Sequence, residues 1–471
     1  MKEHDESADP TLGEEARAIP AEGRGWRWVG AAALLLWLMV SLPLALGQRT
    51  FFIRDIFSNH LPQKVFGAEQ LRQGRIPAFN PDWGLGQVFR GNPGILPFYP
   101  DNLLHLVLPF WSAFNLHFVL HWLLALVAMA TLARTLGQSP AASLIAGLTY
   151  AGCGWLLSTL SFYNLLTVAA WWPLVIAGAV VGGRRGICLG GIACGMALLG
   201  GEPITAALGL VPMLVASVPR HGWRRAFSGA FAIGFVGLLI ALPQIVATAR
   251  IYGFSFRGGH GNIQTQVASY YLILPRLIEL VLPLPFGWPG YRGAFGVWHA
   301  GYAARLPFFM SIHFGIVALA LAFAARRKGW WALAGASLLV AWGGGQVPWI
   351  LDTLTLGIFR FPEKFLFWLA IALPLLAGWG LQEITASPRR WWRAGVLIAS
   401  VVFVAAAAGI WLLRAPFLAG YRVRVADSPD ALHTIAAISL QSWLQALYLL
   451  IAGILLLTTA WAVRRRRPAV V

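Results

Sequence analysis

Long apolar runs separated by polar gaps make up most of this chain of 471 residues. Because about 20 apolar residues cross the hydrocarbon core of a bilayer as a helix, the runs predict successive helical spans. We place them in one membrane domain, residues 26–463. The longest polar gap, Gln48 to Ala113, is here called loop 1.

The predicted architecture is an all-α polytopic membrane protein with twelve crossings. Ten of them are single spans at residues 28–47, 114–136, 141–160, 163–181, 226–249, 308–325, 330–347, 365–385, 394–413 and 438–463. The apolar run 187–218 has arginines at both ends, which one crossing would put on opposite sides. It is therefore predicted to form a hairpin of two short helices, broken at Gly200-Gly201-Glu202-Pro203.

Charge fixes the predicted orientation. Basic clusters such as Arg184-Arg185 and Arg464 to Arg467 follow apolar runs, and such clusters stay on the cytoplasmic side. The tail 1–25 and the basic tail 464–471 are thus expected in the cytoplasm of a cell with an inner (plasma) membrane. Loop 1 (48–113) and a second loop, 250–307, are expected outside. Within the second loop, residues 263–282 are predicted to lie along the interface as a helix.

Composition supports this class of protein: 58% of the residues are hydrophobic and 11% are charged. The formal net charge of +18 comes largely from the clusters beside the spans, which meet lipid headgroups, so nucleic acid is not an expected partner. The cysteines, Cys153, Cys188 and Cys194, all lie in apolar runs, where a disulfide or a zinc site is not expected.

Loop 1 carries an unusual concentration of polar chemistry. It contains four acidic and six basic residues among many glycines and prolines, together with nine aromatic residues from Phe51 to Tyr99. Disordered segments are poor in aromatic residues, so we expect an ordered, irregular loop. Such loops on a rigid scaffold are frequent binding sites.

Asp55 and Glu202 are the leading acidic candidates. Asp55 follows the first span and suits a general base or a metal ligand, although taken alone a pair with Arg54 or a helix cap is the favoured explanation. Glu202, in the predicted helix break on the same side, suits acid/base work, metal binding or a capped break. His117 and His121 lie one helical turn apart without a carboxylate partner and without an HExxH motif, which favours a structural role over a metal site.

The order of short motifs along the chain resembles the YfhO-like membrane proteins, which belong to the GT-C superfamily of polyprenyl-phosphate-sugar-dependent glycosyltransferases. The resemblance covers about residues 30–385. It rests on Asp55, Gly74-x-x-Pro77-x-x-Asn80-Pro81, Gly84-x-Gly86, Gly91-Asn92-Pro93, Tyr99-Pro100-x-Asn102-Leu103-Leu104, Trp171-Trp172-Pro173-Leu174, Gly200-Gly201-Glu202-Pro203 and Arg360-Phe361-Pro362-Glu363-Lys364-Phe365.

The resemblance implies a groove open to lipid and an inverting transfer of sugar from a polyprenyl-phosphate carrier. The acceptor would be an envelope glycan, lipid or protein outside the membrane. By position, Asp55 takes the part of base or metal ligand, with Glu202 and Asp101 in support. Arg360 and Lys364 would hold the donor phosphate, unless they are a snorkelling interfacial pair. The resemblance is compatible with activity both with and without a divalent cation, Mg²⁺ or Mn²⁺.

Two departures from the family limit the comparison. Glu202 stands where many relatives have histidine or glutamine, and the extra spans and outer domain of longer members have no counterpart in these residues. The main alternative is a lipid or polysaccharide transporter of the envelope. Transporters place ionisable groups at mid-membrane on broken helices, whereas these apolar runs are nearly free of charge.

Overall fold

The computed structural model describes residues 25–254, 270–285, 307–342, 361–387, 390–425 and 431–465. Nearly all of this structure is helical. Within these ranges, the strands are the two-residue β1 (Phe79–Asn80) and β2 (Gln87–Val88), an antiparallel pair inside loop 1.

Loop 1 is an ordered chain of short elements, as expected from its aromatic residues. It follows helix α1, Gly25–Ala45. Its elements are a π-helix at Ile56–His60, α2 at Leu61–Arg72, the β1–β2 pair, 3₁₀ turns at Pro93–Ile95 and Pro100–Leu103, and α3 at Leu104–Val107. The buried rings of Phe66 and Phe89 pack edge to face under this loop, at 5.3 Å between centroids.

Four helices follow loop 1. They are α4 (Phe110–Thr135), α5 (Pro140–Gly152), α6 (Gly154–Thr159) and α7 (Tyr163–Val181). The predicted span 141–160 is broken at Cys153. Here the Gly154 N–H donates to the His313 carbonyl at 2.5 Å, and a side chain on Gly154 would collide with Ser311. The break therefore lets a neighbouring segment approach the backbone.

The predicted hairpin after α7 is present. Helix α8 (Gly183–Leu199) ends at the predicted break, and α9 (Pro203–Leu208) and α10 (Leu210–Tyr252) follow it. The helical path of α10 is interrupted at Gly222, whose φ is +73°.

The packing of α8 shows the direction of these segments. Gly190 lies against Ile233, and Gly195 lies against Ile240. The two contacts advance together along the sequence, so α8 runs parallel to the second half of α10. The chain between them, from the break to Gly222, therefore returns across the molecule, as a hairpin requires.

The remaining helices complete the bundle. They are α11 (Ile316–Ala322), α12 (Lys328–Trp342), α13 (Leu366–Ala386), α14 (Arg390–Val425) and α15 (Ala431–Arg465), with 3₁₀ turns at Leu274–Leu280 and Pro362–Phe365. The core lies around α13, in which nearly every residue from Leu366 to Gly380 is buried.

Six helices of the described chain are long and apolar enough to cross a membrane. They are α4, α7, α9 with α10, the Pro362 turn with α13, α14 and α15. The apolar part of α1, Val29–Ala45, is shorter. Together with the composition, these helices make the chain a polytopic membrane protein.

The predicted span 308–325 differs from the structure. Only Ile316–Ala322 is helical, and residues 307–315 are irregular. The reason is that carboxylates take the place of a helical ladder: Glu363 accepts the Phe309 N–H at 3.1 Å, and Glu279 accepts the Ile312 N–H at 3.2 Å. Irregular backbone persists in apolar surroundings when such partners satisfy it.

Candidate functional site

Loop 1, the helix break at Glu202 and three irregular segments meet at one end of the bundle. Gly201, at φ +74°, lies so close to the Pro93 carbonyl that a Cβ atom would stand 1.9 Å from its oxygen. Arg54 bonds to the segment 307–315, and the Glu363 N–H donates to the Tyr270 carbonyl at 3.1 Å. The polar segments that the sequence predicts on one side do lie together.

Asp55 lies at the surface, directly before the π-helix Ile56–His60. Its side chain caps no helix, and none of the ion pairs among the described residues includes it. Both structural explanations, a cap and an ion pair with Arg54, therefore lack support here. Partial desolvation raises the pKa of Asp55, and the Arg54 guanidinium opposes this effect. A raised pKa moves a carboxyl toward the range of a useful general base.

Arg54 has a strained backbone conformation and is held in place by hydrogen bonds. Its φ of +60° is rare outside glycine. One of its terminal nitrogens donates to the carbonyls of Pro307 at 2.7 Å and Phe308 at 2.6 Å. The guanidinium carbon also lies 5.0 Å from the centre of the Phe162 ring. These contacts fix the turn from which the Asp55 side chain projects.

Glu202 and Lys364 form an ion pair. The Lys364 Nζ lies 2.5 Å from the Glu202 Oε1, and the two side chains are 4% and 14% exposed. The ammonium also lies 5.4 Å from the ring centres of both Phe308 and Phe361. Lys364, predicted as a phosphate ligand, thus already has an anionic partner. Arg360 lies outside the described residues.

Three charged side chains that sequence reasoning missed form a buried network beside this pair. Arg276 donates to Glu279 at 2.6 and 2.8 Å and to Glu363 at 2.8 Å, and all three are 0% exposed. Arg276 also donates to the Phe309 carbonyl at 2.7 Å. The network joins three segments that are distant in sequence.

The structure differs from the predicted interfacial helix 263–282 because of this network. Residues 263–269 lie outside the described residues. The following residues contain the 3₁₀ turn Leu274–Leu280, whose charged Arg276 and Glu279 point inward rather than toward headgroups. The signal available in the sequence was the i, i+3 pair of opposite charges within an apolar stretch.

Asp101 belongs to a second cluster. Its Oδ2 pairs with the Nδ1 of His117, and the side chains of Asp101, His117 and His121 each offer a donor atom within 4.8 Å of the others. The expectation that His117 and His121 have no carboxylate partner is therefore wrong. The partner is distant in sequence because loop 1 folds back onto the start of α4, a tertiary contact that sequence spacing does not show.

The ionisation of Asp101 follows from its neighbours. Burial by itself would raise the pKa of Asp101, but the paired His117 ring and the nearby Lys64 ammonium together lower it to about 2. Lys64 is itself buried, donates to the Asn102 Oδ1 at 2.7 Å and lies 4.5 Å from the centre of the Tyr163 ring. Burial lowers the pKa of Lys64 to about 8, although Asp101 acts against this shift.

An apolar cavity of about 440 Å³ is lined in part by the chain that precedes Arg54 and Asp55. The chain from Thr50 to Ile53 forms one wall and leads directly into those two residues. The other walls come from the α5–α6 break, the second loop (250–307) and the segment 307–315. Their lining residues are Gly152, Gly154, Leu157, Ser158, Leu160, Ser161, Pro283, Leu284, Met310, Ser311 and His313. The lining suits an apolar chain better than a sugar.

The structure therefore brings some of the predicted site residues together and separates others. Glu202 pairs with Lys364, and the Phe308 ring centre lies 5.4 Å from the Lys364 Nζ and 6.0 Å from the Arg54 guanidinium carbon. Asp55 is adjacent to Arg54 in the chain. Asp101 has its contacts in the second cluster, with His117 on α4.

Comparison with known proteins gives a likeness only to solved structures. No protein-family model and no curated protein matches the sequence. Among solved structures, the chain is similar to ArnT from Cupriavidus metallidurans bound to undecaprenyl phosphate, with a TM-score of 0.47 and 18% identity. The match covers 93% of this chain and 78% of that chain. A likeness of this degree decides neither the family nor the activity.

Proposed function

We propose that this protein is a GT-C-type, YfhO-like glycosyltransferase that moves a sugar from a polyprenyl-phosphate carrier to an acceptor outside the inner membrane. One observation carries the proposal: Asp55, a surface carboxylate with no helix-cap or ion-pair partner among the described residues, follows the wall of an apolar cavity. The cavity would take the first isoprene units of the carrier, and its phosphate would lie at the Arg54 end. The proposal includes twelve crossings with both termini in the cytoplasm.

The proposed reaction is a displacement at the anomeric carbon of the sugar. Asp55 takes the proton from an acceptor hydroxyl, whose oxygen forms a bond to that carbon as the bond from the carbon to the phosphate oxygen breaks. The phosphate leaves with the bond electrons. Positive groups stabilise the charge that develops on it. Arg54 and Lys364, which lie on the Phe308 ring, supply such charge, together with Arg360 in the proposal.

Glu202 is proposed to position Lys364 rather than to react, since the two groups are already paired. Asp101 is proposed to stabilise loop 1 through His117. A divalent cation, Mg²⁺ or Mn²⁺, held by Asp55 is the alternative role for that carboxylate. Mg²⁺ prefers oxygen ligands, and one carboxylate together with substrate phosphate suits its usual coordination.

The proposal predicts that Asp55→Asn abolishes transfer while the protein still folds. The purified chain in nanodiscs would be incubated with radiolabelled polyprenyl-phosphate sugars, and release of sugar to water or to envelope acceptors would be measured. Loss of a general base costs typically a factor of about 10² to 10⁴. Asp82→Asn, an exposed carboxylate of the same loop, is the matched control and should retain activity.

Three outcomes would contradict the proposal. Asp55→Asn activity equal to that of Asp82→Asn would exclude the catalytic role of Asp55. Movement of the labelled lipid between vesicle leaflets without release of sugar would favour the transporter. Neither release nor movement with any donor would leave the chain without the proposed activity.

A further inference from the structure

The second cluster directs three electron-pair donors toward one place. The Nε2 of His117 faces the Tyr163 carbonyl at 2.8 Å, and the Nδ1 of His121 faces the His117 carbonyl at 2.6 Å. A carbonyl oxygen only accepts hydrogen bonds, so each of these nitrogens carries the hydrogen. In neutral rings, the opposite nitrogens, Nδ1 of His117 and Nε2 of His121, are then unprotonated.

Each of those opposite nitrogens has a side-chain partner. The Nδ1 of His117 contacts the Asp101 carboxylate, which is also an acceptor, so either a shared proton or a metal ion bound to both groups must join them. The Nε2 of His121 faces the Tyr99 hydroxyl at 2.6 Å, and that hydroxyl accepts from the Trp171 indole at 2.7 Å. The second oxygen of Asp101, Oδ1, is buried and has no partner in the described chain.

We propose that Asp101, His117 and His121 bind a divalent transition-metal ion that fastens loop 1 to α4. Three observations support the site. The donor atoms lie within 4.8 Å of one another, the two histidines are one helical turn apart, and each ring is oriented by a backbone carbonyl behind it. Such a carbonyl is the usual second partner of a metal-bound histidine. The site stands independently of the transfer reaction.

The donor set selects the class of metal. Two imidazoles and one carboxylate suit Zn²⁺, Co²⁺ or Fe²⁺, whereas Mg²⁺ and Ca²⁺ prefer oxygen ligands. The Tyr99 hydroxyl is placed to be a further ligand or to bond to one. The Lys64 ammonium lies 4.5 Å from the centre of the Tyr163 ring, against which the His117 ring stacks at 3.4 Å between centroids.

The test measures metal directly. The full chain would be purified in detergent without chelator, and bound Zn, Co, Fe and Mn would be measured by mass spectrometry. We expect about one Zn²⁺ per chain. His121→Gln and Asp101→Asn should reduce this at least tenfold, while His221→Gln, a histidine bonded to the Val180 carbonyl elsewhere in the fold, should not. The metal-free protein titrated with Co²⁺ should show visible d–d absorption.

A wild-type measurement covers the case in which the variants fail to fold. Chelator should lower the unfolding temperature of the wild type, and added Zn²⁺ should restore it. Metal content that is equal in wild type and His121→Gln would overturn the site, as would a wild type with no metal, no Co²⁺ spectrum and no response to chelator. In the last case a protonated His117 takes the position of the cation.

Discussion

Arg276 forms ion pairs with two buried carboxylates, those of Glu279 and Glu363. Arg276→Met would remove a cation that the buried carboxylates of Glu279 and Glu363 both contact. Removing one partner from a buried ion pair typically costs about 3–5 kcal/mol, so we expect a large fall in the unfolding temperature. Arg390→Met, at an exposed position, is the control, and equal stability of the two variants would contradict the role assigned to the network.

Lys64 predicts a pH dependence of stability. Its pKa is about 8 in the folded protein against 10.5 for an exposed lysine, so between these values the unfolded chain binds more protons. Stability should therefore rise with pH across this window, by up to about 3 kcal/mol from this group. The rise should be absent in Lys64→Met. Unfolding temperatures of both proteins between pH 7 and 10.5 test this, and parallel profiles would show that Lys64 does not contribute.

At the scale of the element, the helix break at Gly200–Pro203 acts as the seat for loop 1. Gly201 and Gly222 both have φ near +74°, but a Cβ atom on Gly201 would meet the Pro93 carbonyl, whereas one on Gly222 would meet nothing within 4 Å. The pair therefore separates the cost of backbone conformation from the cost of a lost contact.

Gly201→Ala should destabilise the protein more than Gly222→Ala does. A backbone conformation at positive φ by itself costs an alanine about 1–3 kcal/mol, and this applies to both variants. Only Gly201→Ala should also displace loop 1, which limited proteolysis of that loop would detect. Similar stability and similar cleavage in the two variants would mean that the Pro93 contact does not hold the loop.

The elements also show what sequence pattern can and cannot predict. The hairpin broken at Gly200–Pro203 was predictable because arginines at both ends of an apolar run restrict its path. The span at 308–325 was mispredicted because its apolar composition does not show that Glu279 and Glu363 take over the backbone hydrogen bonds. Both carboxylates come from other segments, beyond the reach of any local pattern.

For the whole molecule, the succession of apolar runs predicted a largely helical architecture. The aromatic content of loop 1 predicted that this loop is ordered rather than disordered. The meeting of loop 1 with the helix break followed from predicted topology. The pairing of Lys364 with Glu202 and of Asp101 with His117 did not, since each joins residues from separate segments. Hydropathy alone does not show which charged residues from separate segments come together in the folded chain.

The segment 307–315 also imposes an order on biosynthesis. The Phe309 N–H has its acceptor on Glu363, which the ribosome adds more than 50 residues later. A nascent chain that ends before residue 363 therefore lacks the acceptor that this backbone requires. The hydrogen bonding of this backbone is therefore completed only after residue 363 has been synthesised.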